Sequence, residues 1–537
     1  MQAISIGHAG ILIRTRGITI VCDPWFEPAF FGSWFVYPRN DQLPPDVMHD
    51  VCNPDFLYVS HLHGDHFDIP FLTERMNKDT TVILPGFPTR ELERNFNKLG
   101  FRKFVRTANA EEVEIAEDVR VAIHVETSIT DGPGGDSALV VSDGVSRLVN
   151  QNDCRTNDLD ALRAHGPVDL HWLQFSGAIW YPMVYEMDDE TKLRLCREKV
   201  ESQFARAMRY VESIDGTTVV PSAGPPCFLD PDLWGLNMIT GGEMSIFPDQ
   251  REFIRRLSAA GRDNAAMTIP GTSFTVVADP HGGPGVVTVE QPLPGDGVSQ
   301  LFARKEEYLR AYQADMMPRI NEMKAGWARR RTDLVDTLRH WFEPLMGMAP
   351  NVRAGINAGC LIVADAGEGA PASDSVSIYL DFPNGRVAPY TGNIPTGTQP
   401  YDFRFVIPRD LLEEVVAQRA VDWSNSLFLS ARFTAWRSGD YNEYLYNFLK
   451  SLSVERMART EAEATLKMKG VESNEADITV GDYEVQRRCP HRNADLKVFG
   501  EIDGDDFVCT LHGWRFSLVD GHCRNADGHA IRVRKRS

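Results

Sequence analysis

Two short stretches carry residue types suited to chemistry rather than packing. In "YVSHLHGDHFDIP" (residues 58–70), His61, His63, Asp65 and His66 fall within six residues, directly after an apolar run. Imidazoles and carboxylates at that density are nitrogen and oxygen donors for a cation, the donor set of a hydrolytic or an oxygen-activating centre. Near the other end, "CPHRNADLKVFGEIDGDDFVCTLHGW" places Cys489 and His491, then seventeen residues, then Cys509 and His512. Each loop there brings one thiolate and one imidazole, a set that suits an iron–sulfur cluster. A metal cradle and an electron carrier on one chain need a joint explanation.

The elements that must position these residues can be read from periodicity. "AISIGHAGILIRTRGITIVCDPWF" reads as two apolar strands joined by a turn at Arg16-Gly17,. "DFLYVS" is a further strand and "DIPFLTERMNK" an amphipathic helix, so the cradle sits in a strand-end loop. "TTVILPG" and "VRVAIHVET" are strands, and "SALVVSDGVSRLVNQND" is a hairpin turning at Asp143-Gly144,. A long helix begins after Asp188-Asp189 and stops before Gly216, followed by the strand "TTVVPS". Two sheets in a sandwich with helices outside satisfy this pattern. Gly- and Pro-rich residues at 279–297 mark a boundary. These signals divide the chain into residues 1–295 for the metal-binding catalytic domain and 296–345 for a helical connector. Residues 346–455 form an α+β domain, and 456–537 a small all-β cluster domain. The α+β part is similar to a sterol-carrier-protein-like domain, and suits a scaffolding or oligomerisation insert equally.

Two cysteines on one iron and two histidines on the other define a Rieske [2Fe–2S] centre, which Cys489, His491, Cys509 and His512 fit. A zinc finger more often pairs its cysteines together and its histidines together. No cysteine stands in the two positions after either histidine, so the cross-loop disulfide of respiratory-type domains is absent. The domain resembles the oxygenase type, and Cys523 is left over as a packed thiol.

The run His61-x-His63-x-Asp65-His66 resembles the HxHxDH signature of the metallo-β-lactamase fold, an αββα sandwich, over residues 1 to about 240. That likeness makes His61, His63, Asp65, His66 and Asp153 the metal ligands, with Asp65 and Asp153 nearest the chemistry. Asp23 in "VCDPW" fits a strand-end carboxylate that orients ligands. His8 suits either the site or the core. Hydrolases of this fold add two further histidines. Here "ETSITDGPGGDS" has none, His124 lies earlier in a strand, and Ser222 stands at the end of the late strand. His171 is a candidate to replace one, but no spacing requires it.

Zinc has no accessible redox chemistry, so a Rieske domain would have nothing to deliver to a zinc hydrolase. Non-haem iron, one or two ions, would accept single electrons and activate O₂ in such a cradle. The pairing resembles the CMP-N-acetylneuraminate hydroxylase family, which combines a Rieske domain with a metallo-β-lactamase-like domain. "DPWFEPAFFGSWF", "LYVSHLHGDHFDIPFL", "NDCR", "FSGAIWYPM" and "VVPSAG" occur in that family's order, and "FTAWRSGDYNEYLYNFL" matches more faintly. The family's Rieske domain is N-terminal, whereas here it is C-terminal, which marks a distant relative. The resemblance implies a monooxygenase that hydroxylates, or N-oxygenates, a small, anionic or nucleotide-sugar-like metabolite. It also implies an external electron donor such as a ferredoxin, a cytochrome b5-like protein or a flavin reductase. Arg155 offers a cation to such a substrate, and Trp180-Tyr181 a pocket wall. A solvated arginine and core aromatics are the plainer alternatives.

The rival reading is a lactonase-like metallohydrolase with zinc and a Rieske redox sensor, since "GHAGILIRTRGITIVCDPW" also resembles that branch of the fold. The flavodiiron proteins place Glu where His63 stands and need a flavodoxin domain not seen here. Bulk properties narrow the field further. At 537 residues the chain holds about three or four domains,. A formal charge of −19 argues against nucleic acid and anionic membranes as partners,. Nine scattered cysteines favour a reducing, cytoplasmic setting,. Neither a membrane span nor a secretory leader is expected. The electron path must be short, and it closes either within one chain or across the interface of a homo-oligomer.

Overall fold

The structure is a computed structural model that describes residues 1–127, 134–277, 285–327, 331–392, 401–468, 475–491, 494–511, 513–526 and 529–536. All of "SITDGP", the start of the 279–297 stretch and His512 lie outside these residues. The described residues form two compact units, one within 1–127, 134–178 and 193–318, the other within 179–192 and 319–537.

In the first unit an eight-stranded sheet runs in the order Val286–Glu290, Ser273–Val277, Gln2–Gly7, Gly10–Thr15, Ile18–Cys22, Phe56–Tyr58, Thr81–Leu84, Lys103–Arg106. A six-stranded sheet runs Thr218–Ser222, Leu170–Gln174, Arg147–Asn152, Asp136–Ser142, Val119–Glu126, Glu112–Ala116. The central strands are apolar on both faces and buried on both, whereas the edge strands Val286–Glu290, Lys103–Arg106 and Glu112–Ala116 are largely exposed,. Ile11, Ile13, Ile20, Tyr58 and Phe274 meet Val121, Ile123, Leu139, Leu148 and Trp172 between the sheets. Leu12, Val21, Leu57 and Val82 pack outward against Val47, Val51, Phe71, Leu72 and Phe96 of the helices Pro45–Cys52, Ile69–Glu74 and Glu91–Lys98. The result is an αββα sandwich.

The opening stretch departs from the two strands expected there. It holds three, because the chain also reverses at His8-Ala9, where Gly7 (φ 111) and His8 (φ 52) are left-handed. A Cβ on Gly7 would lie 2.9 Å from Val36 Cγ1, so this turn needs glycine twice over,. From Ile18 onward the strands to Phe56–Tyr58, Thr81–Leu84 and Lys103–Arg106 run parallel, as do Arg147–Asn152, Leu170–Gln174 and Thr218–Ser222. Their carboxyl ends carry Asp23, residues 60–66, Asp153 and Ala223. Binding sites in sheets of this kind gather at such ends.

The second unit contains a sheet ordered Arg386–Pro389, Val376–Asp381, Gly359–Asp365, Phe403–Pro408, Thr434–Arg437. Its interior is filled by rings: Phe342 lies 5.3–5.7 Å from Trp341, Trp423 and Phe448, and Trp341 lies 6.2 Å from Trp423. Trp180 also packs in this unit, against Phe428 and Tyr446, so it is a core aromatic. Helix Val454–Met468 precedes two three-stranded antiparallel sheets that form the C-terminal part. Among the described residues no helix is long and apolar enough to cross a membrane.

His124 and His171 are buried in the first unit. Burial drives their pKa down to about 4 and about 3, with His165 adding to the effect at His124. Unfolded histidines titrate near 6.5. Between those values the unfolded chain binds protons that the folded one refuses, so each group costs stability as pH falls. His171→Gln is expected to lessen the parent's loss of stability between pH 7.5 and 5 by about 2 kcal/mol. Urea midpoints of both proteins at the two pH values measure it.

Candidate metal centre

Asp23 follows the strand Ile18–Cys22 with a left-handed backbone (φ 42) and no exposed surface. Its Oδ1 accepts the Ser60 N–H at 2.7 Å, and its Oδ2 accepts Asn152 Nδ2–H at 2.8 Å. The same Oδ2 lies 3.3 Å from His66 Nδ1. One carboxylate thus joins three strand ends and orients a ring. Asp136, at the start of its strand, does the same for His61, with Oδ1 3.3 Å from His61 Nδ1. Ser60 Oγ lies between them, 3.0 Å and 3.2 Å from the Nδ1 atoms of His61 and His66. Both Nε2 atoms are left turned into the cradle.

There His66 Nε2 is 3.6 Å from Asp153 Oδ2 and 3.7 Å from Asp65 Oδ2. His61 Nε2 is 2.7 Å from His63 Nδ1. His8 Nε2 is 3.1 Å from Asp65 Oδ2. Two donor groups share His66: His61, His66 and Asp153 form one, and His8, Asp65 and His66 the other, with ligand atoms inside each within 4.8 Å. Asp65 Oδ1, Asp153 Oδ1 and His66 Nε2 are buried without a hydrogen-bond partner in the structure. Buried polar atoms left so are costly, and a cation between them satisfies them together. The donor set fits a first-row metal.

Electrostatics support that fit. Burial would lower the pKa of His61 and His66, but Asp136 for His61, and Asp65 with Asp153 for His66, outweigh it and raise both. Burial would raise Asp65, but the neighbouring His66 and His8 hold it far below the usual carboxylate range. The site is a balanced nest of opposite charges. Its wall is apolar: Trp25 meets His8 edge-on at 4.9 Å, and a Cβ on Gly64 would lie 3.6 Å from Ala29 Cβ. Phe30 and Phe31, beside that contact, are left-handed (φ 51 and 56).

All five sequence-derived ligands, His61, His63, Asp65, His66 and Asp153, come together. His8 joins them, and Asp136 is a partner that sequence reasoning missed. His171 does not join them: its Nε2 bonds Gln151 Oε1 at 2.9 Å. His124 instead faces His165, Nε2 to Nε2, at 2.9 Å. In the C-terminal part Cys489 and Cys509 are buried, and His491 is 7 % exposed. Cys489 N–H donates to Ala494 O, and Gly513 N–H donates to Cys509 O at 2.7 Å, closing the two loops. Two buried thiols and an imidazole at paired loop tips fit a cluster that takes mixed sulfur and nitrogen ligands.

Comparison with known proteins places names on these parts. Residues 19–222 match a beta-lactamase superfamily domain, 334–465 an Rv3818-like, SCP2-like domain, and 467–533 a Rieske [2Fe-2S] domain. Rv3818 of Mycobacterium tuberculosis, a protein named for a Rieske 2Fe-2S iron–sulfur centre, is 40% identical over 99% of both chains. A protein of Mycolicibacterium smegmatis with the same naming is 40% identical over 100% of both. The cytidine monophosphate-N-acetylneuraminic acid hydroxylase of Pan troglodytes is 24% identical over 238 residues, 42% of this chain and 38% of its own.

Asp23→Ala is expected to weaken metal affinity of the cradle by about 10–100-fold, the usual cost of losing a partner of a ligating histidine. Competition with a chromophoric chelator at pH 7.5 measures it. In the parent, affinity should fall as pH drops, because the raised pKa values of His61 and His66 let protons compete for the ligand nitrogens,.

Proposed function

Because the chain belongs to the family of the Rieske 2Fe-2S iron–sulfur proteins of M. tuberculosis and M. smegmatis, we propose that its Rieske cluster feeds single electrons to non-haem iron in the strand-end cradle, for oxygenation of a small metabolite. The observation that carries this reading is the coexistence of a one-electron carrier domain with buried, unsatisfied nitrogen and oxygen donors. Zinc would leave the carrier without a task. Iron held by imidazoles and carboxylates with open positions supplies oxygen activation when bound.

In this reading His61, His63, Asp65, His66 and Asp153 hold the iron, and Cys489, His491, Cys509 and His512 hold the cluster. Asp65 and Asp153 are the carboxylates nearest the reacting atoms. Asp23 and Asp136 keep the protons of His66 and His61 on Nδ1, so the Nε2 lone pairs face the metal. His8 ties down Asp65. The low exposure of His61 and His66, 2 % and 0 %, excludes bulk water and strengthens each charge interaction,. The hydroxylase relatives support a C–H or amine nitrogen as the target, on an anionic or nucleotide-sugar-like substrate. A ferredoxin, cytochrome b5-like protein or flavin reductase would supply the electrons.

Metal analysis and EPR on protein purified without air test the proposal. About three irons per chain, little zinc, and a Rieske signal on dithionite reduction are expected. About two irons with one or two zincs would sink it and favour a lactonase-like hydrolase carrying a redox sensor. Asp153→Asn should lower iron from about three to about two per chain and leave the Rieske signal intact.

A further inference from the structure

Trp514 follows the second cluster loop and lies parallel to the His491 ring, with centroids 4.1 Å apart and planes 11° from coplanar. It also meets the His529 ring at 4.9 Å, with the planes 67° apart. His529 Nε2 is 3.4 Å from Glu443 Oε1. Glu443 belongs to neither cluster loop nor cluster domain: it opens the helix Glu443–Lys450 inside the SCP2-like match. Only 3 % of it is exposed, and its Oε2 accepts Lys467 Nζ–H at 2.8 Å. Burial would raise its pKa, yet His529 and Lys467 bring it below the ordinary glutamate value. A buried carboxylate persists only when paired. One of its partners comes from the helix Val454–Met468 and the other from the Rieske domain.

We propose that Glu443 and His529 are positioning residues for the cluster. Glu443 fixes His529, His529 fixes Trp514, and Trp514 fixes the plane of the His491 ring. The SCP2-like domain thereby becomes the dock that sets the orientation and dryness of the cluster's histidine edge. Groups behind a ligating histidine tune the metal through ring orientation, hydrogen bonding and solvent access. Trp514 and His491, 5 % and 7 % exposed, form a closed edge of that kind. This rests on the assignment of His491 as a cluster ligand.

The test uses the full-length, cluster-loaded protein. Glu443→Gln and His529→Gln should each shift and broaden the EPR signal of the reduced cluster, and each should speed iron loss to a chelator about tenfold. The double variant should do no more than either single one, because the residues act as one unit. Arg534→Gln, which breaks an exposed pair with Glu484 in the same domain, should change neither readout. If Glu443→Gln does not fold, His529→Gln carries the test, since that ring is 20 % exposed. Unaltered EPR in both variants would overturn the inference. So would midpoint potentials that move in opposite directions with unaltered EPR, the mark of charge acting through space alone. A parent protein without a Rieske signal would overturn the ligand assignment together with the inference.

Discussion

Everything at the cradle hangs on the Asp23 carboxylate. It has no access to water, so it must find its hydrogen bonds inside the protein. It finds them on two chain segments far apart in sequence, at the Ser60 amide and the Asn152 side chain, with the His66 ring of the Ser60 loop beside it. Those bonds bring the ends of strands from both sheets to one point. A sandwich packed only by its apolar interior would tolerate sliding of one sheet on the other. The carboxylate removes that freedom at the single edge where ligand nitrogens and oxygens must stay within a few tenths of an ångström of their places.

The same arrangement makes the fold and the metal thermodynamically dependent on each other. Asp65 and Asp153 each keep an oxygen buried without a partner, and His66 keeps a ring nitrogen so. A protein that buries such atoms folds against a penalty, and a bound cation removes it. The charges are matched so that neither the imidazoles nor the carboxylates prevail, which suits a site that must take up metal and release protons near neutral pH.

How much of this was legible beforehand follows from the length scale of each interaction. His61, His63, Asp65 and His66 lie in one loop, so their density alone gave them away. Asp153 and Asp23 were legible because each ends an apolar strand. Asp136 was not, since it opens a strand after a Gly-rich stretch, and only the packing of one sheet on the other brings it to His61. The extra reversal at His8-Ala9 escaped notice because Gly7 and His8 make it through backbone conformation rather than through an Asn-Gly or Asp-Gly signal,. His8 therefore looked like either a core or a site residue until the turn showed where its ring points. The pairing of Glu443 with His529 joins residues from two domains, and no local pattern encodes it.

Besides Phe30 and Phe31 in the wall, four non-glycine residues at the chain reversals of the cradle share the left-handed backbone: His8 (φ 52), Asp23 (φ 42), Asn152 (φ 44) and Ala223 (φ 46). Each such residue costs of order 1 kcal/mol or more relative to a relaxed position, a cost glycine would not incur. Glycine at any of the four would relieve that strain, but at His8, Asp23 or Asn152 it would also remove a group the site uses. Selection or engineering guided by thermostability alone would thus drift toward a sturdier protein with a blank active edge. In this fold durability and reactivity compete for the same handful of backbone angles.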